Sequence, residues 1–162
     1  MTDLLLQLIL WLFVVNLGIA FGAGLYESRI MVPQWLVATA SGYEWHQAAA
    51  RSANTGLRFW VYVTTIPLTL LTLASLVACL WTEAPVRGWW LGAAAAALAD
   101  RSMTFGYFIP AMLRLMQDET LSPSKAVESA LQWGQLGYVR HAATFVAWLA
   151  ALKALTLLSF GP

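Results

Sequence analysis

Asp100 and Arg101 are adjacent in the stretch from Gly88 to Leu115, which otherwise has the length and apolar character of a bilayer-crossing helix. A charge at mid-bilayer costs at least about 2.5 kcal/mol on insertion scales, so it faces protein or a wet cavity, has a partner, and flags function. A second polar set stands at the ends of the apolar runs: Glu27, Arg29, Tyr107, Arg114, Arg140 and His141. Glu27 and His141 can take or give protons, whereas Arg29, Arg114 and Arg140 also suit interfacial anchoring by snorkelling. For a metal the chain offers His46 and His141, with Glu27, Glu44 and Asp100 as carboxylates. No Glu-x-x-His pair of the di-iron bundle type occurs, and Glu44-x-His46 is not diagnostic. No metal site is therefore expected; His46 and His141 are the weak candidates for one, and the pair that bis-histidine haem ligation would need. Ser/His/Asp hydrolase signatures, phosphate loops and dinucleotide fingerprints are absent.

These residues need a frame, and composition says what kind. Of 162 residues 60% are hydrophobic and 10% charged, and the mean hydropathy is +0.66, values typical of a membrane protein. A net charge of +1 with scattered basic residues excludes a nucleic-acid footprint. The single cysteine, Cys79, excludes an intrachain disulfide and a cysteine metal cage. The expected fold is all-α, one polytopic four-helix membrane bundle over residues 1–162, with spans at about 4–25, 59–81, 89–114 and 139–160. The leader Met-Thr-Asp is acidic and no A-x-A site follows, so the first span is expected to be retained. Trp81, Trp89 and Trp90 mark an interface around the tight second connection. Pro67 and Pro110 predict kinks, with Thr64 and Thr65 placed to satisfy the carbonyl that Pro67 frees. Each long connection is expected to carry a short interfacial helix, the first around Trp35, Leu36, Tyr43 and Trp45, the second opening at Ser122-Pro123-Ser124.

Depth arithmetic suggests how the charges pair. Asp100 stands fourteen residues from Arg114, and Lys153 thirteen from Arg140 on the antiparallel last span, so about 21 and 20 Å from the same side. Lys153 is thus the preferred partner of Asp100 over Arg101, because adjacent helix positions do not face each other. Asp100, Thr104, Tyr107 and Arg114 fall on one helical face by spacing. Asn16 at mid-span reads as an interhelical hydrogen bond, and Gly18 with Gly22 as a small-residue face for a partner helix, within the chain or in a homo-oligomer. The long connections and their edges carry Arg29, Arg51, Arg58, Arg114, Lys125 and Arg140, against Arg87 alone opposite, which predicts both termini outside the cytoplasm.

Three stretches resemble a known family. GAGLYESRIMVPQW closing the first span, GYFIPAMLRL closing the third and QWGQLGYVRHAATFVAWLAALKAL in the fourth are similar to the DUF1772, anthrone oxygenase-like family of small membrane proteins. Trp133, Leu136, Val139 and Arg140 are the most specific part, and Phe108 to Pro110 a weaker one; Gly137 departs from the asparagine or histidine that the resemblance leads one to expect. The resemblance implies an oxygenase that needs no cofactor, acting on an apolar aromatic molecule with an acidic C–H. His141 or Glu27 would be the base, Arg140 the oxyanion partner and Tyr107 a hydrogen-bond donor, with Trp133, Trp148, Phe105 and Phe108 as walls. The competing reading is a non-catalytic bundle that binds a lipid, quinone or haem, or a structural subunit of a membrane complex.

Overall fold

In the computed structural model, which describes residues 3–160, the chain is all-α apart from one small hairpin. Helix α1 (Asp3–Tyr26) runs through a π segment (Glu27–Met31) into the single turn of α2 (Val32–Trp35). Strands β1 (Leu36–Thr39) and β2 (Gly42–Trp45) and helix α3 (Gln47–Ala53) form the first connection. A second π segment (Gly56–Thr65) leads into α4 (Ile66–Ala78), closed by a 3-10 turn (Cys79–Trp81). Helix α5 (Val86–Met103) passes through a third π segment (Thr104–Phe108) into α6 (Ile109–Gln117), and α7 (Pro123–Phe160) ends the described chain.

Three helical runs are long and apolar enough to cross a membrane: Asp3–Trp35, Gly56–Trp81 and Pro123–Phe160, in which a stretch of 18 residues has a mean hydropathy of 2.4, 2.0 and 1.7. The run from Val86 to Gln117 is as long but is not among them, because Asp100 and Arg101 lower its hydropathy. The helices close a ring in which α1 packs on α4, α4 on α5, α5 on α7 and α7 on α1. Its core is large on one side and small on the other. Leu10, Phe13 and Leu17 of α1, with Leu68 of α4, meet Ala93 and Ala97 of α5 and Ala147, Ala151 and Ala154 of α7. Small residues let backbones approach closely, the packing that holds helices together where apolar contact alone gives no advantage over lipid. Trp90 belongs to this core, fully buried three residues before Ala93, so only Trp89 of that pair is exposed as an interface marker would be. Gly18 is spent inside the fold, because a Cβ there would sit 3.2 Å from the Trp148 indole, whereas Gly22 is open. Outward, Leu8, Trp11, Leu70, Leu73 and Leu149 are exposed, an apolar belt far beyond what a water-facing surface carries.

Each π segment is followed within two residues by a proline: Pro33, Pro67 and Pro110. Proline cannot donate to the carbonyl four residues back and crowds it, so the preceding turn widens. For Pro67 that carbonyl belongs to Val63, and the Asn16 side-chain amide of α1 donates to it at 2.9 Å. Thr64 and Thr65 do not fill this role: the Thr64 hydroxyl bonds the Trp60 carbonyl instead, since a hydroxyl reaches only the turn before its own residue.

The connections depart from the expected short helices. In the first, Leu36 pairs with Trp45 and Thr39 with Gly42 across a two-residue turn, and Gly42 takes φ +136, which glycine alone accepts freely. Tertiary bonds select this hairpin over a helix: Trp45 Nε1 and Gln47 Nε2 donate to the Leu115 carbonyl at 3.1 and 3.2 Å, and Arg51 Nε to that of Met116 at 2.9 Å. They satisfy the orphan carbonyls ending α6. Past that end Asp118 accepts from the Thr120 hydroxyl and N–H at 2.7 and 2.9 Å, which with Arg114 holds its carboxyl below the usual range. In the second connection Pro123 does open a helix, but that helix runs unbroken for 38 residues to Phe160, since nothing stronger than Gly134 and Gly137 interrupts it.

The bond from Asn16 to Val63 gives a test. Asn16→Ala should lower stability in mild detergent by about 1 kcal/mol, and by less in a Pro67→Ala background, where position 67 regains a donor. Equal losses in the two backgrounds, measured as a thermal double-mutant cycle, would exclude this pairing.

Candidate functional site

The three π segments, the end of α5, α6 and the middle of α7 line a partly open cavity of about 110 Å³. Glu27, Asp100, Arg101, Arg140 and His141 line it, with Trp60, Phe108, Met112 and Trp133 among the apolar walls. By the volume that one water needs, on the order of 10–15 Å³ in this measure, it holds several waters or one small ring. A π turn takes more residues than an α turn, so it rotates the helical face that follows it. In the third segment Thr104 and Phe108 face the cavity, while Tyr107 does not line it.

Asp100 is 1% exposed and fully engaged. Its Oδ2 accepts from Arg101 Nε at 2.9 Å and also from Nη2, and its Oδ1 accepts from the Thr144 hydroxyl of α7 at 3.3 Å. The expected partner Lys153 is exposed and makes no ion pair among the described residues. Depth along the helix was matched, but azimuth was not: Lys153 follows buried Ala151 by two residues, about 200° around α7. Arg101 is adjacent to Asp100, yet its side chain is long enough to curl back and chelate one carboxylate oxygen. Its remaining nitrogen, Nη1, is buried without a partner.

Glu27, 6% exposed, opens the first π segment and reaches toward the second. Its Oε1 accepts from Trp60 Nε1 at 2.8 Å and from the Thr55 hydroxyl at 2.9 Å, so Oε2 has no hydrogen-bond partner among the described residues. Arg140 on α7 lies on an aromatic platform, its guanidinium carbon 4.4 Å from the Phe108 ring centre and 5.8 Å from that of Trp60. Its guanidinium makes no hydrogen bond among the described residues. His141 packs on α1, where a Cβ at Gly24 would lie 2.5 Å from the ring, and its Nε2 is 2.8 Å from the Ser28 hydroxyl. Trp133 Nε1 donates to the Phe108 carbonyl at 3.3 Å, fixing one wall.

Of the residues singled out from sequence, Glu27, Arg140, His141, Phe108 and Trp133 thus share one cavity with Asp100 and Arg101. Phe105 does not join them; it is 50% exposed on the outer surface. Trp148 is turned toward Gly18 and Phe21 on α1, and Tyr107 packs edge-on to Phe108. Arg29 and Arg114 are exposed, Arg114 beside Asp118 at 3.5 Å. His46 is exposed on the first connection, 3.8 Å from Glu44, and does not line the cavity with His141. Among the described residues no group of three His, Cys, Asp or Glu side chains could hold a metal ion. Sequence reasoning missed Trp60, Thr55, Gly24 and Ser28. The signal available was the threefold recurrence of proline, each time a few residues past a polar or aromatic cavity residue. Comparison with protein-family models, curated proteins and solved structures finds no match, so the anthrone oxygenase-like resemblance stands on its motifs alone.

The pairing within α5 separates the two basic residues experimentally. Lys153→Met should change thermal stability by less than about 0.5 kcal/mol, as surface substitutions do. Arg101→Met should cost about 3–5 kcal/mol, because Asp100 is left buried alone, and Asp100→Leu with Arg101→Met should cost less than Arg101→Met by itself. The reverse ranking of Lys153→Met and Arg101→Met would refute the assignment.

Proposed function

We propose that the chain is a four-span membrane bundle that takes an apolar aromatic molecule with an acidic C–H into this cavity, and oxygenates it without metal or flavin. The observation carrying the reading is the Arg140 guanidinium, held over two aromatic rings beside a cavity with no hydrogen-bond acceptor supplied by the described chain. A guanidinium so placed lacks an oxygen, and a ligand oxyanion stacked among Phe108, Trp60 and Trp133 supplies it. Glu27, through its free Oε2, and His141 line the same space and are the candidate bases. The chemistry balances with dioxygen as the only co-reactant. The base takes one C–H proton and leaves an enolate whose oxygen rests on Arg140; O₂ adds to the carbanion, and the adduct is protonated to a hydroperoxide. Loss of the second C–H proton with O–O cleavage then releases water and leaves a ketone, so CH₂ and O₂ become C=O and H₂O.

Size narrows the substrate. A cavity of about 110 Å³ is comparable to engineered cavities of roughly 150 Å³ that hold benzene. It takes one ring, and the outer rings of an anthrone must extend beyond it. For the membrane setting, the four helical runs and the exposed apolar belt support four spans, and six basic residues against one support both termini outside the cytoplasm. Labelling of Ser52→Cys from the outer side, in a Cys79→Ala background, would reverse that orientation.

Binding and turnover are tested separately. In mild detergent, 4-nitrophenol should bind as its phenolate, visible in its absorbance, and Arg140→Met should weaken it tenfold or more. Oxygen uptake with anthrone should exceed the buffer rate and fall at least tenfold in Arg140→Lys, which keeps the charge but loses the planar fork, while thermal stability changes little. Phenolate binding without oxygen uptake would leave a carrier of apolar anions, the non-catalytic alternative; equal activity of Arg140→Lys and the parent would end the oxyanion role.

A further inference from the structure

Glu27, Thr55 and Trp60 line the internal cavity and also a second, apolar groove of about 500 Å³. The groove lies between the end of α1 and the start of the second π segment, and Gly22, Ala23, Tyr26, Met31 and Phe59 form the rest of it. Its outer side is open: Tyr26 is 59% exposed, and a Cβ at Gly22 would meet nothing within 4 Å. The hydrogen-bonded trio is shared by the two linings and stands between the buried charges and this apolar flank. Both bonds of that partition end on one carboxylate oxygen, Glu27 Oε1. The Trp60 bond joins two π segments, whose backbone geometry is less favourable than α and is found often at sites that move or react.

Resting on the reading of Arg140 given above, we propose that the ligand is an amphiphile loaded sideways from the bilayer. Its ring and ionised oxygen sit in the cavity against Arg140, and its apolar tail passes the Glu27–Trp60 partition into the groove. The relative volumes fit this division, since the cavity takes one ring and the larger space lies outside the partition. The chemistry on each side agrees with it: the guanidinium groups are within, and beyond the partition the lining is apolar apart from Tyr26. An apolar tail left in a groove open to lipid loses nothing relative to the bilayer, so selectivity rests in the head.

A 4-alkylphenol with a diazirine at the end of its chain is the probe, with the full chain in phosphatidylcholine nanodiscs. After irradiation, adducts located by mass spectrometry should concentrate on Tyr26, Met31 and Phe59. Excess 4-alkylphenol lacking the diazirine should suppress them at least tenfold, and an alkylbenzene of equal length should not. Saturable, phenol-competed adducts on other helices, such as α5 or α6, would overturn the lateral route while leaving the head site standing. Equal competition by the alkylbenzene would also overturn it, because the groove would then be recognising tails alone. Labelling that no phenol suppresses anywhere would instead remove the Arg140 site itself.

Discussion

Two carboxylates and two guanidinium groups line one cavity among mostly apolar packed helices. Removing such groups from water costs several kcal/mol per ion unless partners replace the lost solvation. The partners come from different parts of the chain. Asp100 on α5 takes Arg101 from its own helix and Thr144 from α7, and Glu27, the first residue of the first π segment, takes Thr55 from the end of the first connection and Trp60 from the second π segment. Polar bonds between elements therefore tie this end of the bundle together. The other end is held by leucine and phenylalanine against alanine, packing that carries no directional demand. The fold depends on both, but only the polar end fixes which side chains meet.

Space at that end comes from proline. Pro33, Pro67 and Pro110 lie just past the three widened turns, and each widened turn contributes to the cavity wall. A straight helix would bring the next turn of side chains into that volume. Asn16 compensates part of the cost by donating to the Val63 carbonyl, so one interhelical bond makes up for the donor that Pro67 lacks. The same change of helical phase that turns Thr104 and Phe108 inward turns Tyr107 away.

Hydrogen bonding in the cavity is asymmetric. Asp100 is engaged by Arg101 and Thr144, whereas the half-buried Arg140 guanidinium and Glu27 Oε2 make no hydrogen bond among the described residues. Arg101 Nη1 is buried without a partner, as Asn16 Oδ1, Ser75 Oγ and Trp90 Nε1 are elsewhere in the fold. Natural interiors leave few buried polar groups unpaired, and those that stay unpaired ask for a ligand, water or ion. Groups fixed in advance and left open are the arrangement that electrostatic catalysis requires, because no reorganisation is needed when charge develops. That asymmetry is the physical basis of the proposed site.

The sequence by itself determined the helical class and the apolar spans, because hydropathy and length are local sums along the chain. It also isolated Glu27, Asp100, Arg101, Arg140 and His141, because a charged or titratable side chain among apolar neighbours is visible without any fold. Pro67 and Pro110, though not Pro33, were legible as interruptions, and Asn16 as an interhelical hydrogen bond. Azimuth was not legible. Lys153 matched Asp100 in depth yet faces outward, and Tyr107 matched Thr104 in spacing until a widened turn reset the phase. The hairpin at Leu36–Trp45 was hidden as well, since its decisive bonds run to carbonyls at the end of α6, about seventy residues away. Which groups pair and which remain open was decided only by tertiary structure, because each such contact depends on the rotation of one helix against another, and no local pattern encodes that rotation.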